Sequence, residues 1–89
     1  MNILKIDSWR DIPKNYTGII EYPSGDTVYY LNRSLHRDDG PAVICSNGNM
    51  YYNINNKNIT KEVKDWIKEN NIPEVWDNSH KILFKLTFG

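Results

Sequence analysis

The sequence has a single cysteine, Cys45, which excludes an intrachain disulfide and a cysteine-rich zinc site and fits a reducing compartment. It has no long hydrophobic stretch. The longest wholly apolar runs are four residues, Val28 to Leu31 and Ala42 to Cys45, too short for the centre of a secretion signal or for a membrane span, so neither is expected and a cytoplasmic location is. Net charge is also missing: 11 Lys and Arg offset 11 Asp and Glu, which argues against broad attraction to nucleic acid or anionic lipid. The sequence patterns of dinucleotide sites, P-loops, serine-hydrolase elbows and zinc proteases are absent as well. Three Asn-x-Ser/Thr triplets, at Asn15, Asn32 and Asn58, are accidental matches in an asparagine-rich chain. A chain of 89 residues predicts one domain with a small core and little room for an enclosed catalytic cavity.

Aromatic side chains are plentiful by comparison, with six Tyr, three Trp and two Phe. Many of them fall in an internal repeat. Shifting the sequence by 23 positions lays Gly25-Asp26-Thr27-Val28-Tyr29-Tyr30-Leu31-Asn32 over Gly48-Asn49-Met50-Tyr51-Tyr52-Asn53-Ile54-Asn55, and Ile20 over Val43. A short apolar run, a Ser-Gly or Asn-Gly pair and an aromatic run recurring at that period predict a β-hairpin repeated twice. Strands are expected near 18–23, 27–32, 41–46 and 50–55. Alternation places Tyr29 and Leu31 on one face with Met50, Tyr52 and Ile54, and that face is expected to be the core. The opposite face carries Val28, Tyr30, Tyr51 and Asn53.

Between the copies, His36-Arg37-Asp38-Asp39-Gly40-Pro41 cannot continue a central strand and is read as a reversing loop that displays charge. In it, His36 is expected to donate to a backbone carbonyl, and Arg37 to pair with Asp38 or Asp39. After the second copy, Thr60 is placed as the cap of a helix with apolar positions Val63, Trp66 and Ile67, stopped by Asn70-Asn71 and Pro73; this helix is expected to cover a sheet face. A short element follows the capping cluster Asp77-Asn78-Ser79. Ile82, Leu83 and Leu86 suit a helix there and Ile82, Phe84, Leu86 and Phe88 suit a strand; the helix is preferred. At the start, Ile3, Leu4 and Ile6 suit an edge strand, and Ser8 to Ile12 one helical turn.

The stretch Tyr29 to Val43, reading Tyr-Tyr-Leu-Asn-Arg-Ser-Leu-His-Arg-Asp-Asp-Gly-Pro-Ala-Val, resembles the "W-Y-x-N-G-K-L-H-R-E-D-G-P-A" repeat of phage and giant-virus proteins, itself similar to MORN repeats. Tyr51 to Glu62 resembles the way such arrays end, with a last hairpin running into a helix. The likeness covers about residues 16 to 70. Arg33 and Asn56 stand where that family has the glycine of Asn-Gly, which brings the turn after Asn32 into question because Arg enters the left-handed region less readily than Asn. The resemblance implies an α+β fold, a MORN-like antiparallel hairpin meander in two copies followed by an amphipathic helix and a short C-terminal element. With the flanking elements read from the residues themselves, the single domain comprises an N-terminal strand and turn (1–17), two hairpin repeats (18–59) and a C-terminal helical cap (60–89). The resemblance also implies a viral or phage origin, and neither a catalytic activity nor an agreed ligand.

Two chemical constellations can be drawn. His36 with Asp38 and Asp39 has the group types of a metal or acid–base site, but a third ligand at metal spacing is lacking and the residues belong to the repeat. Cys45 with a histidine has the makings of a nucleophile and base, but it sits in a strand where a small core residue is expected. No catalytic residue, metal or cofactor is therefore expected. The surplus of aromatics instead points to a protein-binding surface, with Tyr30, Tyr51, Val28, Arg37, Asp38 and Asp39 as the candidate contact residues. The expected partner is a host protein or protein–nucleic acid complex, bound by a monomer or homodimer, with no sequence-specific nucleic-acid binding and no membrane. An anti-defence inhibitor, such as one directed at a CRISPR effector, is the concrete version. The alternatives are a MORN-type lipid-surface module and a small metal-dependent hydrolase built on His36, Asp38 and Asp39.

Overall fold

The 23-residue period is visible as geometry in the computed structural model, which describes residues 2–89. Gly25 and Gly48 occupy equivalent turns at φ 95° and 92°, values that glycine tolerates without penalty. Each turn is closed by the same pair of hydrogen bonds: Gly25 N–H to Tyr22 O and Tyr22 N–H to Asp26 O in the first, Gly48 N–H to Cys45 O and Cys45 N–H to Asn49 O in the second. A second, tighter turn follows in each copy, at Asn32-Arg33 (φ 49° and 63°) and Asn55-Asn56 (φ 49° and 68°). Two successive positive φ angles are what a two-residue hairpin of type I′ requires. Arg33 therefore does adopt the left-handed conformation, although its side chain disfavours it.

These turns join eight short strands: β1 (Ile3–Lys5), β2 (Gly18–Glu21), β3 (Thr27–Leu31), β4 (Ser34–Leu35), β5 (Val43–Ile44), β6 (Met50–Tyr51), β7 (Asn53–Ile54) and β8 (Lys57–Asn58). The main sheet runs β1-β2-β3-β5-β6 with β4 also paired to β3, and β7-β8 form a separate ladder. It is mostly antiparallel, but the edge strand β1 lies parallel to β2. A 3₁₀ turn, Trp9–Asp11, capped by Ser8, bridges that parallel connection. Two helices follow, α1 (Thr60–Glu69) and α2 (Asn78–Phe88).

The expected inner face is corrected on the main sheet. Ile20 pairs with Val28, and Val28 with Val43, which pairs in turn with Tyr51, so these four share one sheet face. Ile20 and Val28 are buried on it, while Leu31 and Met50, assigned to the core from alternation, are exposed. The strands are also shorter than expected, because Tyr22 and Cys45 already close turns and because the 50–55 run breaks at Tyr52. Its amide donates to Thr60 Oγ1 at 3.0 Å instead of to a neighbouring strand. That break turns Tyr52 out of the main sheet and into a second core.

The second core comprises Tyr52, Ile59, Val63, Trp66 and Phe84, with Ile54, Ile67, Ile72, Trp76 and Phe88 around them. It is an aromatic stack: Tyr52 lies 6.0 Å from Trp76 at 18° between planes, and Trp66 meets Phe84 edge-on at 5.8 Å. α1 thus packs on the end of the repeat and on α2, and does not cover the sheet as expected. Thr60 is its first residue and not its cap; the hydroxyl is engaged with Asn58 Oδ1 at 2.6 Å and the Tyr52 amide. α2 starts on a capping box in which Asp77 Oδ1 accepts the His80 amide at 3.0 Å. That hydrogen bond, from a backbone donor to the charged carboxylate, holds the Asp77 carboxyl below its ordinary range. No described helix is long and apolar enough to cross a membrane.

Candidate interaction surfaces

The loop joining the two copies is built almost wholly from internal contacts. The Arg37 guanidinium lies 4.1 Å over the Tyr29 ring, donates from Nε to Asp39 Oδ1 at 2.7 Å and from Nη1 to Pro41 O at 3.2 Å. Gly40 sits against it: a Cβ there would come 2.9 Å from Arg37 Cζ, so a larger residue would displace the guanidinium from this position. Ala42, next in the run, is fully buried. The backbone N–H of Arg37 donates to Asn53 O at 3.1 Å, tying the loop to the second copy. The run His-Arg-Asp-Asp-Gly-Pro-Ala is therefore a fastening between units, held by a planar cation that stacks and forks at once.

His36 works in the opposite sense to that expected. Its ring does not donate to a carbonyl; Nδ1 accepts the Asn55 amide at 3.0 Å, while its own backbone N–H goes to Tyr29 O at 3.2 Å. Asp39 is engaged with Arg37, and Asp38 Oδ2 lies 3.5 Å from Lys85 Nζ on α2. The three groups drawn as a hydrolytic site thus face different partners. Among the described residues no three His, Cys, Asp or Glu side chains lie close enough to hold a metal ion. Cys45 is a half-buried residue of the Gly48 turn.

The six candidate contact residues divide between surface and interior. Val28 is only 7% exposed and is corrected to a core residue, flanked across the sheet by Ile20 and Val43. Tyr30, Arg37, Asp38 and Asp39 line one shallow groove with His36. Tyr30 is half-buried, and burial together with the neighbouring Tyr22 pushes its hydroxyl pKa up. Tyr51 is 40% exposed but lies away from that groove, on the edge strand β6.

Two apolar surfaces were not among the candidates. A groove of about 590 Å³ runs between Met50 on β6 and the segment joining the helices, lined by Tyr52, Ile67, Ile72, Val75 and Trp76; Val75 is 84% exposed. The other is the outer side of α2. Phe84 and Phe88 turn inward to the aromatic stack, whereas Ile82 (59%), Leu83 and Leu86 (81%) face out. The spacing that suggested a helix at 82, 83 and 86 thus belongs to its solvent side. Both surfaces were hidden in the sequence, because which of two apolar stripes faces the core depends on where Trp66 and Trp76 arrive from a distance along the chain.

Comparison with family models, with curated proteins and with solved structures returned no match, so what these surfaces can do rests on their own geometry.

Proposed function

We propose that the chain is a small, non-enzymatic interaction protein that binds another macromolecule through an apolar surface centred on α2. The observation that carries this reading is the double-sided character of that helix. A helix apolar on two opposite sides ordinarily has both covered, and here Ile82, Leu83 and Leu86 remain open to solvent. Three side chains cover far less than the roughly 800 Å² per partner of a standard interface, so the partner extends over neighbouring surface. The Arg37–Asp39 loop, joined to α2 through the Asp38–Lys85 contact, is the adjoining polar rim. A viral or phage origin, MORN-like kinship over residues 16 to 70, a cytoplasmic setting and a host protein as partner belong to the same proposal, with inhibition of a host defence as its concrete form.

The test is affinity capture from candidate host lysate at physiological salt, using the wild-type chain beside Ile82→Glu/Leu86→Glu, whose exposed positions leave folding intact. A stoichiometric protein held by the first and lost by the second supports the reading. Equal capture by both, or capture by neither, overturns it. A lipid-surface role is the second reading, favoured by Lys81 and Lys85 beside the apolar strip. Sedimentation of the wild-type chain, but not of the double variant, with anionic vesicles would select it.

A further inference from the structure

The two type I′ turns are held from outside in the same way but by different chemistry. A two-residue hairpin leaves the N–H groups of its two central residues without partners inside the turn, and both copies give them to the preceding stretch of chain. In the first copy, Arg33 N–H donates to Tyr16 O at 2.7 Å and Asn32 N–H donates to Thr17 Oγ1 at 2.9 Å. In the second, Asn56 N–H donates to Leu35 O at 2.9 Å and Asn55 N–H donates to His36 Nδ1 at 3.0 Å. A hydroxyl in one clamp is replaced by an imidazole nitrogen in the other. The hydroxyl accepts at any pH. The imidazole accepts only while that nitrogen carries no proton, and histidine is the side chain that ordinarily changes charge between pH 5 and 8.

We infer that His36 is a pH-sensitive clamp between the two repeat units: neutral, it holds the Asn55-Asn56 turn; protonated, it releases it. Protonation puts a hydrogen on Nδ1, which then faces the Asn55 N–H donor-to-donor, and the contact is lost. The contribution is therefore complete at neutral pH and disappears on acidification. The surroundings do not restore it. The groove beside His36 holds Thr17, Tyr29 and Tyr30 together with Arg37, Asp38 and Asp39. Arg37 is itself a cation, Asp39 is held by Arg37 and Asp38 faces Lys85, so both carboxylates among the described residues of that groove are already engaged. What remains of the junction is the reciprocal pair between Leu35 and Asn56, Leu35 N–H to Asn56 Oδ1 at 2.8 Å and Asn56 N–H to Leu35 O at 2.9 Å, together with the Arg37 N–H to Asn53 O bond. Opening is thus confined to the turn and the adjoining loop, the same loop that presents Arg37, Asp38 and Asp39. The inference is independent of which macromolecule, if any, the chain binds.

The first copy provides the internal reference for the test. Amide hydrogen exchange of the full chain is measured residue by residue between pH 7.5 and 5.0 and expressed as protection relative to the intrinsic rate. The expected result is a loss of about fivefold in Asn55 protection on acidification, the factor that one ordinary hydrogen bond supplies, with Asn32 unchanged. His36→Thr, which copies the Thr17 clamp, is expected to make the Asn55 value independent of pH. Parallel loss at Asn32 and Asn55, or an unaltered pH dependence in His36→Thr, overturns the inference. Should His36→Thr not fold, nitrogen-15 NMR of the wild-type ring decides: Nδ1 without a proton at pH 7.5 supports the clamp, and a proton on Nδ1 refutes it. The only other histidine, His80, contacts Asp77 at the start of α2 and belongs to neither clamp.

Discussion

Replacing Phe84 with leucine separates the two apolar sides of α2 by energy. Phe84 is fully buried, with ring centroids 5.1 Å from Phe88, 5.2 Å from Trp76, 5.8 Å from Trp66 and 6.0 Å from Tyr52. Shortening the side chain by about three carbons forfeits roughly 2 kcal/mol of burial. Losing the aromatic geometry adds about 0.5–1.5 kcal/mol for a ring pair. The expected cost is therefore about 3 kcal/mol, against a total of roughly 4–13 kcal/mol for a chain of this length. Thermal melts followed by near-ultraviolet circular dichroism, which reports the Trp66–Trp76 environment, should show Tm lower by roughly 15 °C. Leu86→Ala, on the same helix but exposed, should stay within about 0.5 kcal/mol of wild type. If the Phe84 variant costs less than about 1 kcal/mol, or the Leu86 variant costs as much as it does, the helix is rotated from the orientation described. The outward apolar strip would then cease to exist.

Arg33→Asn should stabilise the chain by about 1 kcal/mol, because asparagine enters the left-handed region more readily than arginine and already does so at Asn56; a lower urea midpoint would show that the Arg33 side chain makes a contact that outweighs the strain. Asp77→Ala should lower Tm at pH 7. Since the folded chain holds the Asp77 carboxyl below its ordinary value, the stability it contributes is present above the ordinary aspartate range and is lost as the pH falls through the lowered one. Wild-type and Asp77→Ala melts should therefore converge as the pH falls below the ordinary aspartate range, and a difference that persists at the acid end would mean the cap acts through something other than its charge.

Much of the local structure could be read without coordinates. The Ser24-Gly25 and Asn47-Gly48 turns, the helix after residue 60, the capping cluster at 77–79 and the short edge strand at the start all follow from a few neighbouring residues. The loop from His36 to Pro41 was legible as a loop, but the role of each residue in it was not. Charged side chains in a reversing segment read equally well as a surface or as a fastening. Arg37 became the latter only because the fold sets its guanidinium over the Tyr29 ring and close against Gly40. Likewise His36 carries the same letter whether its ring donates or accepts. The Asn55 amide, brought from 19 residues away, decides.

What the amino-acid order determined by itself is the set of local choices: where the chain turns, because glycine and asparagine accept backbone angles that others resist, and where it coils, because caps and apolar spacing act within a few residues. Only the tertiary structure decided which apolar side chain is interior. Val28 rather than Leu31 is buried, and Phe84 rather than Leu86, because burial depends on what arrives on the other side. The Tyr52 break shows this most directly. One amide leaves the ladder for Thr60, and a residue that alternation assigns to the sheet becomes the floor of a second core.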